Sequence, residues 1–397
     1  MIPKSNIMSA NESHELIEGP VQVDGLVCSN VRLVRSGSEF FELLEGMIHG
    51  AGHFIHVQTY IFKEDETGLR ITRALVQAAE RGVKVYLLLD GYASQGLSEQ
   101  FLNKLEESGI FFKYFDPLLK SKYFYFGRRL HHKLVVIDGV EALVGGINIS
   151  DNYNDTFLGA AWLDWALYVE GEPVREIQQV CERRTQTSPP GRALMIRDDQ
   201  PVCPVNVRIN DWVRGKRQIT NGYLRMMQNA ESRITIMSSY FLPGKALRRQ
   251  LVAAIQRGIR VRVVLAGISD VRFAKYAERY MYDWLLRNGI EVYEYQPRIL
   301  HAKLAVCDGK WLTVGSYNVN NISAYASIEL NLEIKNTPFA QNAERRIDKI
   351  IERDCVQITE EVLHRKFGLV GRFLQRSAYD IFRILLFLFT FYFKQRE

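Results

Sequence analysis

Two short segments carry side chains suited to phosphate chemistry: His131-His132-Lys133 with Asp138, and His301-Ala302-Lys303 with Asp308. Each reads His-x-Lys, then four residues, then Asp. Each is followed by a turn of small residues ending on an Asn, Gly145-Gly146-Ile147-Asn148 in one and Gly315-Ser316-Tyr317-Asn318 in the other. On an extended strand, residues two apart share a face, so each copy offers an imidazole beside an ammonium. The small turn residues let a ligand approach the backbone closely. One copy is half an active site; two make a whole one around a phosphodiester.

The chemistry those groups suit is a two-step displacement at phosphorus. A phosphodiester is anionic and its alkoxide leaves poorly, so nucleophilic catalysis divides the barrier. One imidazole attacks phosphorus while the other protonates the departing oxygen, then acts as base toward the incoming hydroxyl. Lys133, Lys303, Asn148 and Asn318 would hold the non-bridging oxygens as charge grows in the transition state. This scheme calls for no metal and no cofactor, and no Cys/His cluster with zinc spacing is present. Asp138 and Asp308 stand five residues beyond their lysines, and on a continuing strand that odd spacing turns them away from the phosphate. They read as structural. His132, one step along the strand, is expected to face elsewhere as a core or surface histidine.

What positions these residues is a duplicated α/β domain. Phe54-Ile55-His56-Val57-Gln58-Thr59-Tyr60-Ile61-Phe62 resembles Arg233-Ile234-Thr235-Ile236-Met237-Ser238-Ser239-Tyr240-Phe241. The stretch from Ala78 to Leu88 resembles that from Ala254 to Val264, and Gly109–Tyr114 answers Gly289–Glu294. The offset is about 170 to 180 residues, far beyond solenoid periods. Helices stop at Arg81-Gly82 and Arg257-Gly258, and the apolar runs Val83–Leu89 and Ile259–Leu265 follow as buried strands. Alternation of this kind predicts an α/β sandwich in each half, with the active site where the halves meet at a pseudo-twofold interface. The expected division is an N-terminal extension (1–26), a first domain (27–182), a linker around Pro189-Pro190-Gly191 (183–208), a second domain (209–356) and a C-terminal tail (357–397).

The 397 residues carry a net charge of +6, with 47% hydrophobic and 24% charged residues, an ordinary globular balance with a mild preference for anionic partners. Five scattered cysteines predict reduced thiols, and the polar stretch from Met1 to Pro20 lacks an apolar signal core. The run from Ile384 to Phe393 is uncharged and aromatic-rich, about half the ~20 residues of a membrane-spanning helix. It reads as an interfacial or re-entrant anchor, the alternative being a helix packed on the core. Tyr123-Phe124-Tyr125-Phe126-Gly127-Arg128-Arg129, with Leu118-Leu119-Lys120 upstream, combines rings and cations that suit a headgroup boundary, or else forms a packing loop.

The duplicated His-x-Lys-x4-Asp motif, each copy followed by its Gly-Gly/Ser-x-Asn turn, resembles the phospholipase D superfamily. The resemblance covers nearly everything from Phe40 to Asp354, in the same order in both halves. It implies that an acid downstream of each Asn orients each histidine; the matching positions are Asp164 and Glu329. It also implies that His131 is the nucleophile and His301 the acid and base, an assignment on which the residues themselves are symmetric. Gln58–Phe62, Leu89-Asp90-Gly91-Tyr92 and Val169–Val174 resemble the bacterial-type cardiolipin synthases that lack N-terminal transmembrane helices. That branch implies transfer of a phosphatidyl group between two phosphatidylglycerol molecules through a phosphohistidine, at the cytoplasmic face of the cell membrane. Ile322, Ala324 and Ser327 depart from the branch, which bears on headgroup or acceptor preference. Hydrolysis of phospholipids, with water as acceptor, is the alternative; no basic groove with interleaved aromatics points to nucleic acid. Self-association is left open.

Overall fold

The computed structural model describes residues 25–117, 128–157, 159–187, 203–366, 371, 373–381, 383 and 384. In the first half, strands β1 (Leu26–Arg35), β2 (Phe54–Thr59), β3 (Lys84–Asp90) and β4 (Phe111–Phe115) are separated by helices α1 (Ser38–Gly50), α2 (Glu66–Glu80) and α3 (Glu99–Glu107). Strands β5 (Arg129–Leu130), β6 (Leu134–Ile137), β7 (Glu141–Gly145) and β8 (Trp165–Gly171) follow, then helix α4 (Glu172–Thr185).

The second half repeats the plan. Strands β9 (Cys203–Asp211) and β10 (Lys216–Arg217) lead into helix α5 (Gln218–Asn229), strand β11 (Arg233–Ser238), helix α6 (Lys245–Gln256), strand β12 (Arg260–Ile268) and helix α7 (Arg272–Arg287). Strands β13 (Glu291–Ile299), β14 (Lys303–Cys307) and β15 (Trp311–Gly315), helix α8 (Asn321–Tyr325) and strand β16 (Ser327–Lys335) come next. Helix α9 (Thr337–Asp354), strand β17 (Cys355–Ile358) and helix α10 (Glu360–Lys366) complete it.

Local chemistry explains the boundaries. The Asp65 carboxylate accepts from Gly68 N–H and starts α2, and Asn336 does the same for α9 through Phe339. The Arg-Gly stops act as expected: Gly82 and Gly258 take φ of +88° and +84°, the left-handed turn that ends α2 and α6.

In each half two parallel pairings, β2–β3–β4 and β11–β12–β13, adjoin an antiparallel run. That run is β2–β6–β7–β8–β1 in one half and β11–β14–β15–β16–β9 in the other. The equivalent strands β1 and β9 then pair antiparallel, as a twofold relation requires, and join the halves into one continuous sheet. Helices α1–α3 and α5–α7 cover the outer faces over separate cores. The inner faces share a third core, filled by Val174 and Ile177 of α4 and by Ala340, Ala343 and Ile347 of α9.

Three expected boundaries shift. Arg183–Thr185 complete α4, and Cys203–Arg208 belong to β9 rather than to a linker. The alternation of Val205, Val207 and Ile209 with polar neighbours has the two-residue period of a strand, and β9 uses it to pair with both β1 and β16. Likewise Gln357 and Ile358 lie in β17 beside β13, and Leu363 of α10 enters the second-half core, so the tail begins later than 357. Residues 118–127, the Pro189-Pro190-Gly191 break, the first 24 residues and the apolar run after Ile384 lie outside the described residues.

Asp138 and Asp308 do not sit on continuing strands. β6 and β14 end one residue earlier, and both aspartates take positive φ, +54° and +55°. The Asp138 carboxylate accepts the N–H groups of Gly52, His53 and Phe54 at 2.8, 2.8 and 2.7 Å. Asp308 does the same for Glu231, Ser232 and Arg233 at 2.9, 2.8 and 2.8 Å. Each staples its turn to the entry of β2 or β11. Burial opposes the Asp308 carboxylate, yet these donors outweigh it and hold its pKa down at about 2.

Candidate active site

Neither histidine stands within a strand; each lies in the irregular segment that precedes one. His131 follows β5, a two-residue strand that runs parallel to the start of β16 in the opposite half. His131 N–H donates to Ile328 O at 3.0 Å. In the mirrored arrangement, His301 N–H donates to Leu163 O at 2.8 Å, and Leu163 bridges Leu300. Ile328 and Leu163 immediately precede Glu329 and Asp164. The backbone pairing therefore lays each histidine beside the acid of the other half.

The side chains complete the crossing. His131 Nδ1 lies 2.8 Å from Glu329 Oε2, and His301 Nδ1 lies 2.6 Å from Asp164 Oδ2. With the Nδ1 proton donated to a carboxylate, Nε2 is the atom left to react. Both carboxylates are fully buried. Gly146 makes room for one of them, since a Cβ there would meet Asp164 Oδ1 at 2.4 Å. The equivalent Ser316 donates its hydroxyl to Glu329 instead. Gly145 and Gly315 each lie too close to the neighbouring backbone, at Trp165 O and Leu330 O, to carry a side chain.

Lys133 and Lys303 are buried beside their histidines. Lys133 Nζ donates to His131 O at 2.8 Å and stands 4.9 Å from the Tyr60 ring centroid. Lys303 Nζ donates to Ser239 Oγ at 3.1 Å and to His301 O, and lies 3.7 Å from Asp164. Burial pushes the Lys303 ammonium down to about 8 and Lys133 well below its ordinary value. The asparagines differ between halves. Asn318 lines the central cavity with a buried Oδ1 that has no partner among the described residues. Asn148 is engaged: its Oδ1 accepts Ile61 N–H at 3.0 Å and its amide donates to Tyr153 OH at 2.8 Å. Tyr153 lines the cavity and meets His301 edge-on at 5.0 Å. His132 is buried, with Nδ1 3.3 Å from Gln58 Oε1, and faces away from this centre.

Both histidines open on one cavity of about 500 Å³, walled by Tyr60, Tyr153, Trp162 and Asn318 among others. Burial keeps His131 below its ordinary pKa despite Glu329, and burial with the charges of Lys303 and Lys133 keeps His301 well below. Burial also lifts Asp164 to about 6 against the pull of Lys303. Burial and the neighbouring ammonium groups thus favour neutral imidazoles. An anion in the cavity supplies negative charge, raises these values and draws in protons. Binding of tungstate near pH 7 is accordingly expected to take up protons. Calorimetry in buffers of different ionisation enthalpy reads this as a buffer-dependent heat; equal heats contradict it.

Comparison with known proteins places this geometry. The family profile described as "Cardiolipin synthase, PLD-like domain" matches residues 44–164 and 223–351, one match in each half. The chain belongs to this family. Cardiolipin synthase B of Salmonella typhi is 34% identical over 350 residues, spanning 85% of this chain and 84% of the relative. Cardiolipin synthase B of Escherichia coli K12 is 32% identical over the same shares. The crystal structure of phosphatidylserine synthase from Haemophilus influenzae Rd KW20 superposes with a TM-score of 0.72, covering 92% of this chain and 97% of that one. At 12% identity that likeness concerns the fold.

Several cavity residues of this cardiolipin synthase family member escaped the sequence reading. Tyr60 meets His131 edge-on at 4.8 Å, and Tyr240 lines the opposite wall. A ring at the same place in both halves would have been a signal, but the aligned segments set Tyr60 against Ser239 and Tyr240 against Ile61. Tyr153, Trp162 and Asp270 carry no such signal. Of the three departures from the branch, Ile322 and Ser327 line the cavity, whereas Ala324 is in the second-half core. No group of three or more metal-ligating side chains occurs among the described residues.

Proposed function

We propose that this chain is a phosphatidyltransferase that joins two phosphatidylglycerol molecules into cardiolipin and releases glycerol. The observation that carries the reading is the pair of crossed His–carboxylate contacts whose two histidines open on one cavity, in a member of the cardiolipin synthase family. His131 Nε2 attacks the phosphorus of one phosphatidylglycerol. His301, protonated as the anion binds, gives its proton to the departing glycerol oxygen. The same imidazole then takes a proton from a glycerol hydroxyl of the second lipid, whose oxygen displaces His131. Glu329 and Asp164 hold the two rings in the reactive tautomer, and Lys133, Lys303 and Asn318 stabilise the phosphate oxygens.

Phosphatidylglycerol labelled in its acyl chains, presented in vesicles, tests this reading. Labelled cardiolipin with release of one glycerol per cardiolipin is the expected outcome. Phosphatidic acid as the sole labelled product would instead favour hydrolysis, with water taking the place of the second lipid.

The partner surface proposed for this reaction is an anionic membrane, met at its cytoplasmic face. Its support lies at the end of the chain. Residues 373–381 are helical; Ala378 packs on Ala277 and Met281 of α7, while Phe373, Leu374, Ile381 and Ile384 are exposed. The apolar sequence Leu385–Phe393 follows directly along the chain. No helix among the described residues is long and apolar enough to cross a membrane, and interfacial attachment is the proposal. Removing residues 381–397 is expected to weaken co-sedimentation with phosphatidylglycerol vesicles about tenfold, with little change in turnover of a soluble short-chain lipid. Equal co-sedimentation of the shortened protein contradicts the anchor.

A further inference from the structure

The cavity is not symmetric in charge. Arg129, two residues before His131, lines it on one side, paired with Asp116 at 3.1 Å. Asp270 lines it elsewhere, in the loop between β12 and α7, and makes no ion pair among the described residues. The hydroxyl of Tyr240, also in the wall, donates to Asp270 Oδ1 at 2.5 Å and fixes the carboxylate in place. Tyr240 directly follows Ser239, whose hydroxyl accepts from Lys303 Nζ at 3.1 Å, which puts the Tyr240–Asp270 pair on the His301 side.

A carboxylate at the rim of a cavity that admits anionic lipids opposes the substrate's own charge. Only a neutral or cationic donor group offsets that cost. Hydroxyls are such donors, and a charged acceptor strengthens the bond. A second feature of the same cavity points the same way. Ser150 Oγ lines it, is buried, and has no partner among the described residues. A buried polar atom left unpaired is costly, and a ligand hydroxyl relieves it.

We propose that Asp270 and Tyr240 form a subsite for a vicinal diol, the glycerol headgroup, beside His301. The inference rests on the phosphatidyltransferase reading and deepens it. In the first step the His131 Nε2–phosphorus bond forms, the phosphorus–oxygen bond to glycerol breaks, and the His301 proton moves to that oxygen. In the second, a hydroxyl of the other phosphatidylglycerol passes its proton to His301, its oxygen bonds phosphorus, and the phosphorus–nitrogen bond breaks. The group that leaves and the group that enters are both glycerol, so one subsite serves both steps. Asp270 accepts from the hydroxyl adjacent to the reacting one and turns the reacting oxygen toward His301.

The test uses the full chain with phosphatidylglycerol in mixed micelles and two small competing acceptors, 1,2-propanediol and 1-propanol. The readout is the ratio of kcat/KM for transfer to the diol over transfer to the monool. The native protein is expected to favour the diol by about tenfold, because a site built to bond a hydroxyl discriminates against its absence. Asp270→Asn is expected to bring the ratio near one. Tyr240→Phe, which keeps the ring and drops the hydroxyl, is expected to lower it about threefold. Cardiolipin made by a native protein that shows no diol preference overturns the subsite alone, as does an undiminished ratio in Asp270→Asn. A native protein that makes neither cardiolipin nor propanol esters overturns the transfer reading itself.

Discussion

Replacing His131 with alanine is expected to lower cardiolipin formation by at least about 10⁴-fold and to abolish the covalent phosphoenzyme. In the proposed mechanism this imidazole is the nucleophile, and the buried Glu329 holds it at 2.8 Å. Protein exposed to lipid labelled at phosphorus and then denatured at alkaline pH, where a phosphorus–nitrogen bond survives, measures the intermediate. The native protein carries label and the His131→Ala variant carries none. If the label persists in His131→Ala and vanishes in His301→Ala, the two roles are exchanged. Turnover above a tenth of the native rate in the variant removes the two-histidine mechanism altogether.

His301→Ala carries the second large effect, a loss of about 10²–10⁴ with phosphatidylglycerol, the range of a general acid or base. This defect depends on the leaving group. Glycerol oxygen needs a proton as it departs, whereas p-nitrophenolate does not. A phosphatidyl p-nitrophenyl ester is therefore expected to restore the first step in His301→Ala. The second step still lacks its base, so p-nitrophenol appears as a burst of one equivalent per protein and then stalls. The Nδ1 contact to Asp164 at 2.6 Å gives a milder companion result. Asp164→Asn keeps the ring but removes the charge that steadies the imidazolium, and both steps slow. A full rate with phosphatidylglycerol in His301→Ala, or no rescue by the better leaving group, excludes His301 as the acid.

Much of this architecture is legible along the chain because it is local. The helix stops at Arg81-Gly82 and Arg257-Gly258 depend on a single glycine conformation, and the buried strands that follow depend on unbroken apolar runs. Strand β9 shows the limit of that reading. Its residues alternate with a strand's period, but the Pro-Pro-Gly break nearby predicts a linker, and only the pairing with β1 and β16 shows where that linker ends. At Asp138 and Asp308 a left-handed turn, not strand alternation, aims the carboxylates at the backbone. Asn148 and Asn318 look identical in the motif. Tyr153, five residues further on in the first half only, occupies the amide of Asn148 and breaks the symmetry.

The residue inventory and the duplication are properties of the amino-acid order alone. Two imidazoles, two ammoniums, two acids and their spacing are all there before folding. Which acid serves which histidine is not. Glu329 is 198 residues from His131, and Asp164 is 137 from His301, whereas a hydrogen bond forms only within about 3 Å. Periodicity tells which way a side chain points from its own strand and says nothing of which strand lies alongside. The pairing of β5 with β16, and of Leu163 with Leu300, decides that across the pseudo-twofold interface. Folding alone crosses the pairs, and it does so because backbone hydrogen bonds between the two halves set the side chains face to face.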